Sequence, residues 1–301
     1  MNVIRVSFPA LAALSLIGNA YGQAPDFSKV QIETVKLAPN FYVLNGQGGA
    51  IGVLAGPDGV LMVDSQFAPL TDKIVAAIKQ ISNQPIRFLI NTHVHGDHTG
   101  GNENLGKTGV VIFAREELRN RLIHPAPGGN GNVPPSAPAA ALPVVTYSSP
   151  LTFHFDGEDV HAIPIVKAHT DGDTLVQFPN ANVIMIGDYV RTLGYPNIDR
   201  GNGGSLKGMI DGIDTAIKLC NAQTRVVPGH GEVTDRAGLV AHRDMIIAIR
   251  DKIAPLVAQG KTLPEVMAAK PTADYDAKVP QASETIARFV GQVYAELKAG
   301  A

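Results

Sequence analysis

The chain has 301 residues, with 25 basic and 27 acidic side chains, a net charge of −2 and a single cysteine. That length allows one large domain or two small ones, with a sizeable core in either case. The balanced charge and the lack of a basic stripe or an aromatic-interleaved Lys/Arg run argue against nucleic acid as a partner, and a lone cysteine excludes an intrachain disulfide.

Residues 1–22 stand apart. Arg5 supplies an early positive charge, Val6 to Ile17 is mostly apolar, and Ala20-Tyr21-Gly22 puts small residues at cleavage-type positions, which is the pattern of a secretory signal peptide. Its apolar run is broken by Ser7, Pro9 and Ser15 and falls short of the ~20 residues a membrane span needs. No later segment is apolar enough to span. The mature chain, 23–301, is therefore expected to be exported to the periplasm or secreted, without stable membrane association.

Short strands are predicted at 30–37, 41–44, 51–55 and 60–63, separated by the turns Pro39-Asn40, Gln47-Gly48-Gly49 and Pro57-Asp58-Gly59. This is an antiparallel meander. The Gly-rich tip from Gln47 to Ala50 is either a plain tight turn or a flap over a cleft. Residues 69–81 follow with Leu70, Ile74, Ala77, Ile78 and Ile81 at the spacing of one helix face. The run 86–90 then reads as a buried strand feeding a loop.

That loop is Asn91-Thr92-His93-Val94-His95-Gly96-Asp97-His98-Thr99-Gly100-Gly101, three imidazoles and a carboxylate within six residues. Folding rarely needs such density. Gly96 and the Gly100-Gly101 pair let the chain turn tightly, so His93, His95, Asp97 and His98 can face a shared centre, and such donors suit a borderline cation such as zinc. A single loop cannot close two metal sites. The metal reading therefore predicts further His and Asp at the ends of later strands.

A strand at 110–113 and a helix at 114–123 come next, and then 125–143, rich in Pro, Gly, Ala and Asn, reads as an irregular loop, either a divider between domains or an insertion beside a site. Strands near 151–155, 159–165, 174–178 and 182–187, a helix near 205–220, a strand at 224–227 and a helix near 236–258 repeat the earlier order. Two more helices are expected in the tail, 262–301. Cys220 sits at helical apolar spacing and reads as a small buried hydrophobe. Two similar halves with facing sheets and outer helices make a four-layer α/β arrangement with one cleft at the sheet edges. The expected ligands do appear after strands: His169, Asp188 and His230.

Taken together, a strand-end Asp64, T-H-V-H-G-D-H, His169, G-D with Asp188 and P-G-H-G with His230 resemble the metallo-β-lactamase superfamily over about residues 30–235. The resemblance implies an αββα sandwich. It puts one Zn2+ on His93, His95 and His169 and a second on Asp97, His98 and His230, with Asp188 bridging and Asp64 organising the His-rich loop without touching metal. The remaining histidines, His124, His154, His161 and His242, match no motif position.

Two Zn2+ about 3.5–4 Å apart would supply a metal-bound hydroxide at neutral pH, with Asp97 orienting it or taking its proton. The expected activity is hydrolysis of a small amide or ester. The superfamily also contains lactonases, glyoxalase II-like thioesterases and phosphodiesterases, so the fold does not name the substrate. Asp188 stands where Cys-ligated lactamases carry cysteine, which counts against a standard β-lactamase. The export signal counts for one, as does Arg191, three residues past Asp188, where a guanidinium fork could hold a substrate carboxylate. A mononuclear iron persulfide dioxygenase, using His93, His169 and Asp188, would leave Asp97, His98 and His230 unexplained. A metal-dependent binding protein without turnover is the remaining alternative.

Overall fold

Strand β4, Gly59–Val63, shows why two sheets stack here. Every residue in it is buried; Val60 and Met62 enter one apolar cluster, while Leu61 and Val63 enter another. A strand buried on both faces needs no polar alternation, so its sequence is continuously apolar. The computed structural model describes residues 26–127 and 131–300. The expected signal peptide at 1–22 lies outside them.

The first sheet runs in the order β1 (Glu33–Ala38), β2 (Phe41–Asn45), β3 (Ile51–Gly56), β4, β5 (Ile86–Ile90), β6 (Val111–Arg115) and β7 (Val145–Tyr147). The first four strands pair antiparallel, as the turn signals imply, and β4 to β7 pair parallel. The second sheet holds β8 (Leu151–Phe155), β9 (Glu158–Pro164), β10 (Thr174–Phe178), β11 (Val183–Met185) and β12 (Arg225–Val227), in the order β12-β11-β10-β9-β8. Only its β11–β12 pair is parallel.

The sheets face each other through one cluster that joins Phe41, Leu54, Leu61 and Ile90 to Val160, Val176, Phe178 and Met185. On the outer face of the first sheet, α1 (Thr71–Ile81) packs Ile74 and Ile78, with Leu105 from the short α3 (Asn102–Gly106), against Val53, Val60 and Met62, and α4 (Glu116–Ile123) follows β6 where the sequence places a helix. The outer face of the second sheet is covered by α5 (Leu206–Leu219), α6 (Arg236–Ala258), α7 (Leu263–Ala268) and α8 (Ala282–Ala299). This is the expected αββα sandwich. Cys220, at the end of α5, is buried in that last cluster, as its spacing implies.

Three local features differ from the sequence reading. The His-rich segment is a helical turn, α2 (Gly96–Thr99), followed directly by α3, because each backbone amide from His98 to Gly100 finds a carbonyl three or four residues back. Strand β7 has only three residues and exists through its parallel pairing with β6. The strand predicted to run to 187 stops at Met185, since Gly187 adopts φ +54° and turns the chain into a 3₁₀ turn carrying Asp188.

The segment after Asp188, residues 190–199, is held by α8. Thr285 Oγ1 accepts from the Tyr195 amide at 2.8 Å, Gln292 Oε1 accepts from the Ile198 amide at 2.9 Å, and the Tyr195 and Phe289 rings stack with centroids 5.6 Å apart. Glu296, one turn further on, accepts from the Leu206 amide at the start of α5 at 2.7 Å. The helix thus fastens the middle and the far end of the 190–206 connection. Phe289 is fully buried, so Phe289→Ala leaves a cavity under this segment. Urea unfolding should show a loss of about 3–5 kcal/mol, as expected for a buried aromatic truncated to Ala.

Candidate metal centre

The site begins with Asp64, the residue after β4, which is 1% exposed and holds φ +63°. Its Oδ1 accepts from the Thr92 amide at 2.7 Å, and its Oδ2 accepts from the Thr92 hydroxyl at 2.6 Å. The same Oδ2 lies 2.7 Å from His98 Nδ1. One carboxylate therefore fixes both the start of the His-rich segment and the imidazole six residues on. Ser65 adds a second tie: its amide donates to the His98 carbonyl at 2.8 Å, and its hydroxyl donates to Asn102 Oδ1 at 2.9 Å.

Four of the five imidazoles then follow one rule, an outward nitrogen partnered and an inward nitrogen facing the centre. The outward partners are Thr92 Oγ1 for His93 at 3.1 Å, Asp199 Oδ2 for His95 at 2.7 Å, Asp64 for His98, and the Asn197 carbonyl for His169 at 2.7 Å. His230 presents Nε2 3.0 Å from Asp97 Oδ2 and 3.3 Å from Asp188 Oδ2. Such outer partners set the tautomer and ring orientation that a metal-binding imidazole needs.

The seven residues singled out in the sequence gather into overlapping trios: His93, His95 and His169; His93, His98 and Asp188; and Asp97, His98 and His230. Within each trio the candidate ligand atoms lie within 4.8 Å of one another. Among the described residues, His93 Nε2, His98 Nε2 and Asp188 Oδ1 are buried without a hydrogen-bond partner. The last two are 3.3 Å apart but not aligned to bond. Buried polar atoms left unpaired are costly, and a cation among them removes that cost. Imidazole nitrogens and carboxylate oxygens at this spacing fit one or two borderline divalent ions.

The electrostatics agree with the geometry. Burial pushes His93 well below the ordinary imidazole range and His169 down to about 3, so both are neutral donors. Burial also opposes charge on His98, but Asp64, Asp97 and Asp188 around it lift it well above that range. Burial would raise Asp188, yet His230 and His98 hold it well below the usual carboxylate values. Burial opposes charge on His230 too, but Asp188 and Asp97 raise it, so the ionised carboxylates draw protons onto His98 and His230, the imidazoles from which a bound cation would displace them.

Arg191 reaches this centre, with Nη1 3.5 Å from Asp188 Oδ2. The Gln47–Ala50 tip does not hang free: the Gly49 amide donates to the Asp97 carbonyl at 3.0 Å, the Ala50 amide to the Gly229 carbonyl at 2.8 Å, and Gln66 Nε2 to the Gly49 carbonyl at 2.8 Å. It braces the ligand loops from outside the sheet. Asp199 is the residue the sequence reading missed. It lies in an irregular stretch, Pro196-Asn197-Ile198-Asp199, with no periodicity or motif, and only its closeness to Asn202 and Gly203 hints at an Asx-type turn. Of the histidines outside the motifs, His154 on the edge strand β8 is exposed and pairs with Asp159, and His161 on the neighbouring β9 lies 2.9 Å from Thr152 Oγ1.

The sequence profile of the metallo-beta-lactamase superfamily matches residues 44–230. Among curated proteins, the metallo-beta-lactamase type 2 of Bacillus cereus is 25% identical over 194 residues, spanning 63% of this chain and 69% of that protein. A linear primary-alkylsulfatase of a Pseudomonas species is 31% identical over 78 residues, only 15% of its length. Among solved structures, a metallo-beta-lactamase from Pontibacter korlensis superposes with TM-score 0.59 at 20% identity, covering 72% of this chain and 99% of that one. A sec-alkylsulfatase from Pseudomonas sp. reaches TM-score 0.64 at 17% identity, covering 89% of this chain and 50% of that one. At such identities the likeness of the solved structures speaks for the fold.

Removing Asp199 should loosen His95 without touching any ligand atom. In Asp199→Ala, zinc affinity measured by competition with a chromophoric chelator should drop about 10–100-fold, the usual cost of a lost outer partner. Gly49→Ala should lower it too, because a Cβ at Gly49 would land inside the His98 ring, which Asp64 prevents from moving aside.

Proposed function

The chain belongs to the metallo-β-lactamase superfamily of hydrolases, and from that we propose that it is a binuclear zinc hydrolase of a small amide- or ester-type substrate. The observation that carries this reading is the converging set of inward His93, His98 and Asp188 atoms, buried and unpaired, with the outward nitrogens of their imidazoles already engaged. His93, His95 and His169 would hold one ion, Asp97, His98 and His230 the other, and Asp188 would bridge. Bound there, zinc supplies Lewis acidity and makes water acidic enough to give a nucleophile near pH 7.

The chain's own groups do the rest. Asp97 is half-buried, and although burial would raise it, His98 and His230 keep it ionised. Its carboxylate can therefore accept a hydrogen bond from the attacking water and fix its direction. Asp64, through Thr92 and His98, keeps the ligand loop from shifting as charge builds in the transition state, which is the preorganisation that such catalysis requires. Arg191 would bind a carboxylate on the substrate through its guanidinium fork.

β-Lactams belong in the substrate set because of the similarity to type 2 metallo-β-lactamases. Lactones and thioesters belong there too, because Asp188 takes the place that cysteine holds in Cys-ligated lactamases. The persulfide dioxygenase alternative would leave Asp97, His98 and His230 converging without purpose.

Elemental analysis of the purified chain should find two zinc per molecule, and a strong chelator should abolish hydrolysis in a panel of β-lactams, lactones and thioesters. Asp188→Ala should retain about one equivalent and lose most turnover, because the second set depends more on the shared carboxylate charge than the three-histidine set does. One iron per chain with oxygen uptake on persulfides would overturn the reading. Arg191→Ala should raise KM roughly tenfold or more for a carboxylate-bearing substrate, with little change in kcat. The methyl ester of that substrate should show no such rise.

A further inference from the structure

Two arginines at the junction of β6 and α4 hold the segment that carries His169. Arg115, the last residue of β6 and 4% exposed, donates through Nη1 to the Ile165 carbonyl at 2.9 Å and to the Asp171 carbonyl at 2.8 Å, closing both ends of that segment. Arg121, in the last turn of α4, forks onto the Asp171 carboxylate, with Nη2 2.7 Å from Oδ2 and Nε 3.3 Å from Oδ1. Its Nη1 donates to the Gly201 carbonyl at 3.2 Å. One guanidinium therefore joins the His169 segment to the turn that begins at Asp199.

That turn is where His95 finds its outward partner. Asp199 Oδ2 lies 2.7 Å from His95 Nε2 and accepts from Asn202 Nδ2 at 2.7 Å, so Asn202 sets the plane of the carboxylate. The Asn202 carbonyl accepts from the Asp171 amide at 2.9 Å, and the His169 carbonyl accepts from the Asp199 amide at 2.9 Å. Gly203, at φ +80°, leaves room for the Asp171 carboxylate, since a Cβ there would lie 2.5 Å from Oδ2. His95 Nδ1 and His169 Nε2, 3.0 Å apart, are thus aimed by two segments that Arg121 and Asp171 fasten to each other. A lysine could not replace the arginine, because one ammonium does not present the flat fork that meets two oxygens of Asp171 and a third on Gly201.

We propose that Arg121 and Asp171 are positioning residues for the first metal set, His93, His95 and His169, acting through the Asp199 turn and touching neither metal nor substrate. The proposal rests on that trio holding an ion, as in the function above. His98 takes its outer contact from Asp64 at the end of β4, so the pair governs the first set and leaves the second nearly untouched. A metal set tolerates little displacement of its donors, so a loosened turn is felt as weaker binding even with every ligand in place.

Zinc competition with a chromophoric chelator tests this without turnover. Loss of a direct outer partner costs about 10–100-fold in affinity, so the pair, one step further out, should cost roughly 3–10-fold in Arg121→Gln and in Asp171→Asn. The ion pair is partly exposed and adds little stability, so both variants should keep the thermal midpoint. Arg243→Gln, which removes a similar arginine–carboxylate contact between α5 and α6, should leave zinc binding unchanged. Adding Arg121→Gln to Asp199→Ala should cost nothing further, because the arginine acts through that aspartate. In the metal-free chain, histidine-selective NMR should show the His95 ring signals moved in Arg121→Gln and those of His98 kept. If Arg121→Gln misfolds, Asp171→Asn carries the same comparisons. Wild-type zinc affinity in both variants would overturn the proposal, as would a full additive loss on top of Asp199→Ala or an equal loss in Arg243→Gln. Two zinc per chain with affinity indifferent to the pair would remove the brace and leave the dizinc reading standing. One zinc, bound with an affinity that depends on the pair, would defeat the dizinc reading and leave the brace.

Discussion

The Asp64 carboxylate is the contact on which the centre depends. It is buried at the end of β4, and its two oxygens take three partners on the His-rich segment: the Thr92 amide, the Thr92 hydroxyl and the His98 ring. A buried carboxylate without such partners would be costly, whereas one fully engaged becomes a rigid anchor. The residue pays for that position with φ +63°, a left-handed conformation that non-glycine residues seldom adopt. Strain at one residue thus sets the direction from which the ligand loop leaves the sheet, and hence where His93, His95 and His98 point.

From that anchor the rest of the site is assembled by sheet edges. Asp64 follows β4, the His-rich segment follows β5, His169 lies between β9 and β10, and Asp188 and His230 follow β11 and β12. Backbone bonds tie these separate arrivals together: the Thr174 amide donates to the Thr92 carbonyl at 2.8 Å, and the Gly229 amide to the Gly187 carbonyl at 2.7 Å. The sandwich therefore positions ligand atoms from two sheets with no loop left to find its own place, which is what a site of fixed geometry requires.

Much of this could be read in the sequence because local chemistry carried it. Buried strands were visible as short apolar runs between Gly, Pro and Asn turns, and α1 and α5 as apolar spacing at helical period. The seven converging side chains were visible because His and Asp crowd into a few places with few other reasons to be there. What stayed hidden was decided by tertiary contact. Strand β7 is three residues whose only reason to be extended is β6 beside it. The Gln47–Ala50 tip read equally as flap or turn, and only its bonds to Asp97 and Gly229 decide that it is a brace. Asp199 comes from an irregular segment far from any motif, and distance along the chain conceals its closeness to His95.

The segment that carries Asp199 changes how α8 should be understood. By spacing alone it is an amphipathic helix that covers a sheet face, and Phe289, Val290 and Val293 do cover it. Yet the same helix holds the Tyr195 amide through Thr285, the Tyr195 carbonyl through Arg288 and the Ile198 amide through Gln292. The held segment carries Asn197, whose carbonyl orients His169, and Asp199, which orients His95. Two of the three imidazoles in the first set are thus aimed by a segment that α8 fastens. Apolar packing and ligand orientation meet in one element, so the helix must dock before the centre can take its final form.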